Sequence, residues 1–236
     1  MDLSLPTLSL ATAFLTAIYL IFRSYTPPNP APPKAKQWKT DTLNSHHQSA
    51  RKRYGLAILF SSCFYHVLLI LFPPTFMSPF CPHPENLSSK LFTWSPYTAF
   101  CLILIGAAGP IRLLAYAQLG RDFTFQLARP RGLVKTGLYA YVRHPSYPAL
   151  FGAHLVAAGL FMRWGGAVGC FGPGWLVRST VFGVGTDVWA LSVMGVMMFG
   201  LFGVRVMEEE DMLRSEFGAE YEEYAKRTKR FLPGII

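Results

Sequence analysis

The sequence predicts an all-α integral membrane protein with about five transmembrane helices, for three reasons. Hydrophobic residues make up 51% of the 236 residues and charged residues 15%, and the mean hydropathy of +0.28 is high for a water-soluble domain. The apolar residues gather in runs long enough to cross a hydrocarbon core of about 30 Å. The basic residues are concentrated in alternate connections between these runs.

The apolar runs define the predicted helices in order. They are Leu3 to Phe22, Gly55 to Phe76, Tyr97 to Leu119, Pro145 to Met162 and Val181 to Val204. The first run lacks the basic start and the small-residue cleavage site of a signal peptide, so we expect a retained anchor. The second run ends at Pro73-Pro74. The third contains Gly109-Pro110, and a proline inside a helix predicts a kink.

The distribution of basic residues predicts the orientation. The first and third connections carry most of them and should face the cytosol, which leaves the N-terminus outside and the C-terminal tail in the cytosol. They are Arg23, Lys34, Lys36, Lys39, Arg51, Lys52 and Arg53 in the first connection, and Arg121, Arg129, Arg131, Lys135 and Arg143 in the third. This asymmetry also explains the net charge of +9 without a nucleic-acid partner, since no aromatic-basic recognition module is visible.

The cysteines and histidines carry little functional information. Cys81 and Cys170 fall in the two predicted extracytosolic connections, so a disulfide between them is one option. The six histidines, which include His46-His47, are not paired by the helical spacing that a metal site would use.

Polar residues concentrate on the predicted cytosolic side, first in the segment GLVKTGLYAYVRHPSYP at 132–148. Its glycines permit close backbone approach, its tyrosines offer aromatic faces, and a proline in the first helical turn leaves exposed amides that can bind an anion. This pattern suits a bound cofactor with an aromatic base and a charged tail. An interfacial aromatic belt with a snorkelling arginine is the alternative.

The second polar segment is the tail, RVMEEEDMLRSEFGAEYEEYAKRTKRFLP at 205–233. Its spacing predicts an amphipathic helix that continues the fifth apolar run, with Arg205 and Glu209 on one face. These two residues either form a simple i,i+4 ion pair, or bind a lipid-borne carboxylate and a hydroxyl or amino group, respectively. An alternative interpretation of the acidic cluster from Glu208 to Asp211 is that it is only a solvent-exposed face of the helix.

Together the two segments resemble the signatures LVxxGxYxxxRHPxY and RxxxEExxLxxxFGxxYxxYxxxxxxxxP of the isoprenylcysteine carboxyl methyltransferase family of integral membrane enzymes. The resemblance covers about residues 120 to 236, and two ordered motifs about 60 residues apart are more specific than either alone. It implies methyl transfer from S-adenosylmethionine to the carboxylate of a prenylated cysteine. It also implies a cytosolic cofactor pocket formed by the loop before helix four and the C-terminal tail, in the endoplasmic reticulum membrane. The domain division expected from it is a membrane region at 1–119, with a basic linker at 23–54, and a catalytic region at 120–236.

The resemblance assigns roles residue by residue. Arg205 corresponds to the substrate-binding arginine, and Glu209 to an acid that contacts the cofactor and takes part in catalysis. Arg143 either orients its loop or binds the cofactor carboxylate, and Gln126 is a looser candidate for cofactor contact. The expected cofactor-binding residues are Gln126, Arg131, Gly132, Leu133, Val134, Tyr139, Arg143, His144, Pro145, Ser146, Tyr147 and Glu209. No metal is expected.

Three departures from the family pattern leave the acceptor open. Arg131-Gly132 stands where the family commonly has histidine, Pro148-Ala149 stands where it commonly has a glycine two residues after the tyrosine, and GRDFTFQLARP lacks a histidine after its phenylalanine. The added side chains would stiffen or narrow the start of helix four. Three alternatives therefore stay open: a methyltransferase for another lipophilic acceptor such as a phospholipid amine, a catalytically silent membrane scaffold, and a sterol reductase-like enzyme. The last would need a nicotinamide site, and the sequence has no GxGxxG segment.

Overall fold

The computed structural model describes residues 4–42, 48–72 and 80–234 and, within them, the side chains outside 48–53. The helices are α1 (Leu5–Tyr25), α2 (Gln48–Leu71), α3 (Ser89–Phe92), α4 (Pro96–Leu119), α5 (Ser146–Phe161), α6 (Gly174–Val177), α7 (Thr186–Phe217) and α8 (Ala219–Arg227). A short antiparallel hairpin, β1 (Thr180–Val181) and β2 (Val184–Gly185), precedes α7. The predicted all-α membrane class is confirmed.

Four helical segments in the described chain are long and apolar enough to cross a membrane: Leu5–Tyr25, Tyr54–Leu71, Pro96–Asp122 and Thr186–Phe217. The fourth predicted run forms the apolar helix α5, whose 16 residues span about 24 Å at 1.5 Å per residue, less than a hydrocarbon core of about 30 Å. The predicted ends of the first two runs at Leu3, Pro73-Pro74 and Phe76 lie outside the described residues.

Two predictions about helix continuity have different outcomes. The tail does continue the last apolar run, because α7 extends without a break over 32 residues from Thr186 to Phe217. Pro110 lies inside α4, and the helix continues past it to Leu119. A kink at this proline stays a prediction.

The chain divides into two compact units. The first comprises residues 1–22, 53–107 and 152–196. In its core, the buried His66 ring stacks on Phe14 and Phe92, with ring centroids 5.0 and 4.3 Å apart. The disulfide between Cys81 and Cys170, which the sequence left open, is formed here.

The second unit comprises residues 23–52, 108–151 and 197–236. Its buried Arg112 donates from Nε to the Ser24 carbonyl at 3.0 Å and from Nη1 to Ser146 Oγ at 2.5 Å. The same guanidinium lies 4.7 Å from the centre of the Tyr116 ring. A charge inside an apolar helix is costly unless it is partnered, and these contacts use it to fix the first residue of α5.

Candidate functional site

The loop that precedes α5 turns at Gly137, where the backbone requires glycine. Gly137 has φ +63°, and a Cβ atom there would lie 2.3 Å from Gln118 Nε2. Glycine allows the side chain of Gln118 to approach, and Gln118 Oε1 accepts a hydrogen bond from the Leu138 amide at 2.9 Å. The side chain at the end of α4 therefore sets the path of the RHP loop, which we define as residues 137–145.

The RHP loop is bonded to the C-terminal tail through its backbone. The amides of Arg143 and His144 donate to the carbonyls of Lys229 and Arg230 at 2.7 and 2.9 Å. The two motifs recognised in the sequence, about 60 residues apart, therefore lie side by side.

Side chains of the same two segments add further bonds. Tyr224 Oη donates to the Tyr139 carbonyl at 2.7 Å. Burial raises the pKa of Tyr224 to about 12 and raises that of Tyr139 as well, so both phenols keep their protons at neutral pH. Tyr224 is thus available as a hydrogen-bond donor to the RHP loop throughout the physiological range.

Glu210 is the centre of a buried ion-pair cluster. Its carboxylate is 1% exposed and lies 3.2 Å from Arg143 Nε, 3.3 Å from His144 Nε2 and 2.8 Å from Arg230 Nη2. Its hydrogen bond to Glu210 raises the pKa of the Arg230 guanidinium. The first two partners belong to the RHP loop, and the third lies near the end of the tail, beyond α8. One carboxylate of α7 therefore binds both the RHP loop and the end of the tail.

Glu209, its neighbour on α7, contacts a different part of the site. Its Oε2 accepts a hydrogen bond from Tyr147 Oη at 2.8 Å and lies 3.9 Å from His144 Nδ1. The Tyr147 ring packs edge-on against Phe202, with centroids 5.8 Å apart. Three of the predicted cofactor residues, His144, Tyr147 and Glu209, are therefore brought together.

Arg205 does not have Glu209 as its ion-pair partner. Its Nη1 lies 2.6 Å from Asp41 Oδ1, and its Nη2 donates to the Phe125 carbonyl at 2.7 Å. Asp41 comes from the basic linker between α1 and α2. The predicted substrate arginine is therefore already bound to a carboxylate of the same chain.

Arg143 and Ser146, two further predicted site residues, have their polar groups engaged within the protein. Arg143 Nη1 donates to the carbonyls of Ala225 and Thr228 at 2.8 and 2.5 Å. These two bonds and the ion pair to Glu210 connect the RHP loop to the tail, as expected of a residue that orients the loop. Ser146 Oγ accepts from Arg112.

The remaining predicted site residues differ in burial and in their contacts. Pro145 is buried, and Leu133 and Val134 are half-buried. Gln126 Oε1 accepts from Gln37 Nε2 at 3.3 Å, and Arg131, with a 65% exposed side chain, lies 3.9 Å from Asp122. Gly132 is exposed. Among the described residues, no hydrogen bond or ion pair joins 126 or 131–134 to His144, Tyr147 or Glu209.

Two functional residues were missed from the sequence. Reading the acidic cluster as only a solvated face is wrong for Glu210, although Asp211 is 69% exposed. Glu210 lies one helical turn after the buried Val206, and this i,i+4 spacing was a usable signal. Asp41 is the only acidic residue between Leu3 and Pro84, but its partner lies 164 positions away, and no local pattern predicts such a contact.

The apolar helices and this buried polar cluster define a helical membrane protein whose RHP loop and tail form one candidate site.

The isoprenylcysteine carboxyl methyltransferase family model matches residues 99–170, which include the RHP loop. A probable protein-S-isoprenylcysteine O-methyltransferase of Oryza sativa subsp. indica is 27% identical over 193 residues, covering 78% of each chain. The protein-S-isoprenylcysteine O-methyltransferase of Schizosaccharomyces pombe is 30% identical over 153 residues, covering 61% of this chain and 52% of the relative. The human enzyme of the same name is 29% identical over 150 residues, covering 62% of this chain and 44% of the relative. These matches confirm the resemblance to the isoprenylcysteine carboxyl methyltransferase family that the two motifs predict.

Proposed function

We propose that this chain transfers a methyl group from S-adenosylmethionine to the C-terminal carboxylate of a prenylated cysteine, forming a methyl ester at the cytosolic face of the endoplasmic reticulum membrane. One observation carries the proposal. The two motifs of the family meet through Tyr147 and Glu209 and through His144 and Glu210. The relatives named above are called protein-S-isoprenylcysteine O-methyltransferases, which supports a prenylcysteine as the acceptor.

The residues of the site fit the proposed cofactor. Among the described residues, Tyr147 is the only hydrogen-bond donor to Glu209, so this carboxylate keeps acceptor capacity for a ribose hydroxyl or an α-ammonium group. His144 Nδ1 lies 3.9 Å from it, and His144 and Pro145 are both buried. When bound, S-adenosylmethionine supplies an activated methyl group. We propose that Tyr139, His144, Pro145, Tyr147 and Glu209 hold it, with residues 131–134 as further contacts.

Arg205 is proposed to orient the acceptor carboxylate. A guanidinium stays charged at any physiological pH and presents a fork of donors that matches a carboxylate. A carboxylate is already nucleophilic at neutral pH, so the site does not need a strong base. Precise positioning of the reactants, in a site closed to water, can remove roughly 7 to 11 kcal/mol from a barrier. Orientation is therefore the contribution expected of this chain.

The proposed orientation in the membrane rests on charge and on the disulfide. The basic residues of the first and third connections favour the cytosolic side for those segments. Disulfides persist in oxidising compartments, so the Cys81–Cys170 bond favours the opposite side for its two connections. A cytosolic RHP loop and tail are consistent with both observations.

The test is methyl transfer from labelled S-adenosylmethionine to N-acetyl farnesylcysteine by the purified full chain in lipid. Arg205→Ala and Glu209→Ala are run beside it. The proposal expects label in a base-labile ester and its loss in both variants, because one residue is assigned to the acceptor and the other to the cofactor.

The other outcomes separate the alternatives. Cofactor binding without transfer would exclude the prenylcysteine acceptor, to which Pro148 and Ala149 leave less room than a glycine would. Label in a phospholipid amine that persists in Arg205→Ala would identify an amine methyltransferase. The absence of cofactor binding would indicate a silent scaffold.

A further inference from the structure

Arg205, the residue proposed to bind the acceptor carboxylate, is already occupied by an internal carboxylate. Asp41 Oδ1 lies 2.6 Å from Nη1, while the Phe125 carbonyl accepts from Nη2 at 2.7 Å. The side chains of Arg205 and Asp41 are only 7% and 12% exposed. Both terminal nitrogens, which a bound carboxylate would engage as a fork, therefore have partners.

Asp41 is held in this place by its own contacts. Its Oδ2 accepts a hydrogen bond from the Leu127 amide at 2.8 Å. Residues 36–42, which we call the linker segment, form an antiparallel bridge between Gln37 and Ala128. In this bridge, the Trp38 amide donates to the Leu127 carbonyl at 2.8 Å. These contacts of the linker segment thus position Asp41 beside Arg205.

The outer end of the linker segment is attached to α7. The Thr42 amide donates to Glu208 Oε1 at 3.2 Å, and the Thr42 hydroxyl contacts the same carboxylate. Thr42 is exposed. Hydrogen bonds that water can replace contribute little net stability, so this end can detach without a large loss of stability.

The electrostatics of the pair make Asp41 exchangeable for another carboxylate. A buried arginine without a counter-charge is strongly unfavourable. When no acceptor is bound, Asp41 is its direct ion-pair partner, and the charge of Glu209 also acts on it. Two carboxylates at one guanidinium would repel each other at short range. An acceptor carboxylate that takes both terminal nitrogens of Arg205 as a fork must therefore displace Asp41 from Nη1.

We propose that Asp41 is an internal competitor of the acceptor, which occupies Arg205 until the acceptor carboxylate displaces it. This inference rests on the proposed function for the role of Arg205. It makes Asp41 a specificity-determining residue, because only an acceptor with an anionic end can replace its charge. It also favours product release, since the methyl ester has lost the charge that kept Asp41 away.

The size of the effect follows from the fraction of the protein in which Arg205 is free. The apparent dissociation constant of a ligand is its intrinsic value divided by that fraction. If Asp41 holds Arg205 for nine-tenths of the time, removing its charge lowers the acceptor KM about 10-fold. The KM for S-adenosylmethionine should not change.

The experiment compares Asp41→Asn and Asp41→Ala with the unchanged full chain in lipid nanodiscs. Asn keeps an oxygen for the Leu127 amide and puts a neutral NH2 group in place of the oxygen that faces Arg205, while Ala removes both polar atoms. Asp211→Asn is the matched control, because it makes the same chemical change at a 69% exposed side chain. Thermal unfolding checks that each variant is folded.

We expect Asp41→Asn to lower the KM for N-acetyl farnesylcysteine several-fold, with kcat retained and Asp211→Asn unchanged. Asp41→Ala should also lower this KM if it remains folded. A higher acceptor KM or a lower kcat in Asp41→Asn would overturn the proposal, because Asp41 would then position Arg205 for catalysis.

A binding measurement keeps the inference testable if the chain transfers no methyl group to this acceptor. The affinity of the free acid is compared with that of its methyl ester. Competition predicts that Asp41→Asn binds the acid several-fold more tightly than the unchanged chain does, with little change for the ester. Equal gains for both ligands, or no gain, would overturn it. The failure of turnover alone would instead count against the proposed function.

Discussion

At the scale of single residues, the buried carboxylate of Glu210 holds more of the site together than any residue that the sequence singled out. Arg143, His144 and Arg230 all direct a nitrogen at it within 3.3 Å. Removing one partner of a buried ionic cluster leaves the others without compensation, which typically costs about 3 to 5 kcal/mol. Glu210 is therefore expected to stabilise the fold, while Glu209 has capacity left for a ligand.

The substitution Glu210→Gln tests this role. We expect it to destabilise the protein by about 3 kcal/mol, because the amide keeps the shape but loses the charge that is shared by Arg143, His144, Arg214 and Arg230. The measurement is thermal unfolding in detergent micelles. Glu223→Gln is the control, since this side chain is 66% exposed and its ion pair within the described part of the chain is with Arg227. Equal unfolding temperatures for the two variants would contradict the role assigned to Glu210.

At the scale of elements, the tail packs against the RHP loop and is hydrogen-bonded to it. The buried Tyr224 makes one of these bonds. Tyr224→Phe removes the donor to the Tyr139 carbonyl and keeps the ring. A neutral hydrogen bond of this kind contributes about 1 kcal/mol, so the unfolding free energy should fall by about that amount. Tyr141→Phe makes the same change at a 68% exposed side chain and should have no effect. If the two variants unfold alike, α8 does not stabilise the loop through this bond.

Elements also show which parts of the structure local sequence can predict. The helices followed from apolar run length, and the ends of α5 agree with the predicted run to within one residue. The approach of the RHP loop to α7 was accessible only through the resemblance. Neither the local sequence pattern nor the family resemblance predicted the Asp41–Arg205 pair, whose members are 164 positions apart. A lone charge in a linker has no periodicity that indicates its partner.

At the scale of the whole molecule, the disulfide constrains how often the chain crosses the membrane. Cys81 precedes α4 and Cys170 follows α5, and bonded cysteines must lie on the same side. If α4 crosses the bilayer, as its length allows, α5 must bring the chain back, although its helix of about 24 Å is shorter than an average hydrocarbon core. Local thinning of the bilayer or tilting of neighbouring helices can accommodate such a mismatch. The disulfide therefore favours the five crossings predicted from the sequence over the four that helix length alone supports.

This topology predicts the result of thiol labelling in sealed vesicles with the cytosolic face outward. In a background with all four cysteines replaced by serine, Phe80→Cys and Phe171→Cys each place a single thiol beside position 81 or 170, at side chains that are 63% and 62% exposed. An impermeant maleimide should modify both thiols only after the membrane is permeabilised, because the proposed orientation places both connections in the lumen. In the same cysteine-free background, Lys135→Cys introduces a thiol in the loop before α5, where the Lys135 side chain is 42% exposed. This thiol should react in intact vesicles. Labelling of positions 80 and 171 from opposite sides would show that α5 does not cross, and would exclude the disulfide in the native protein.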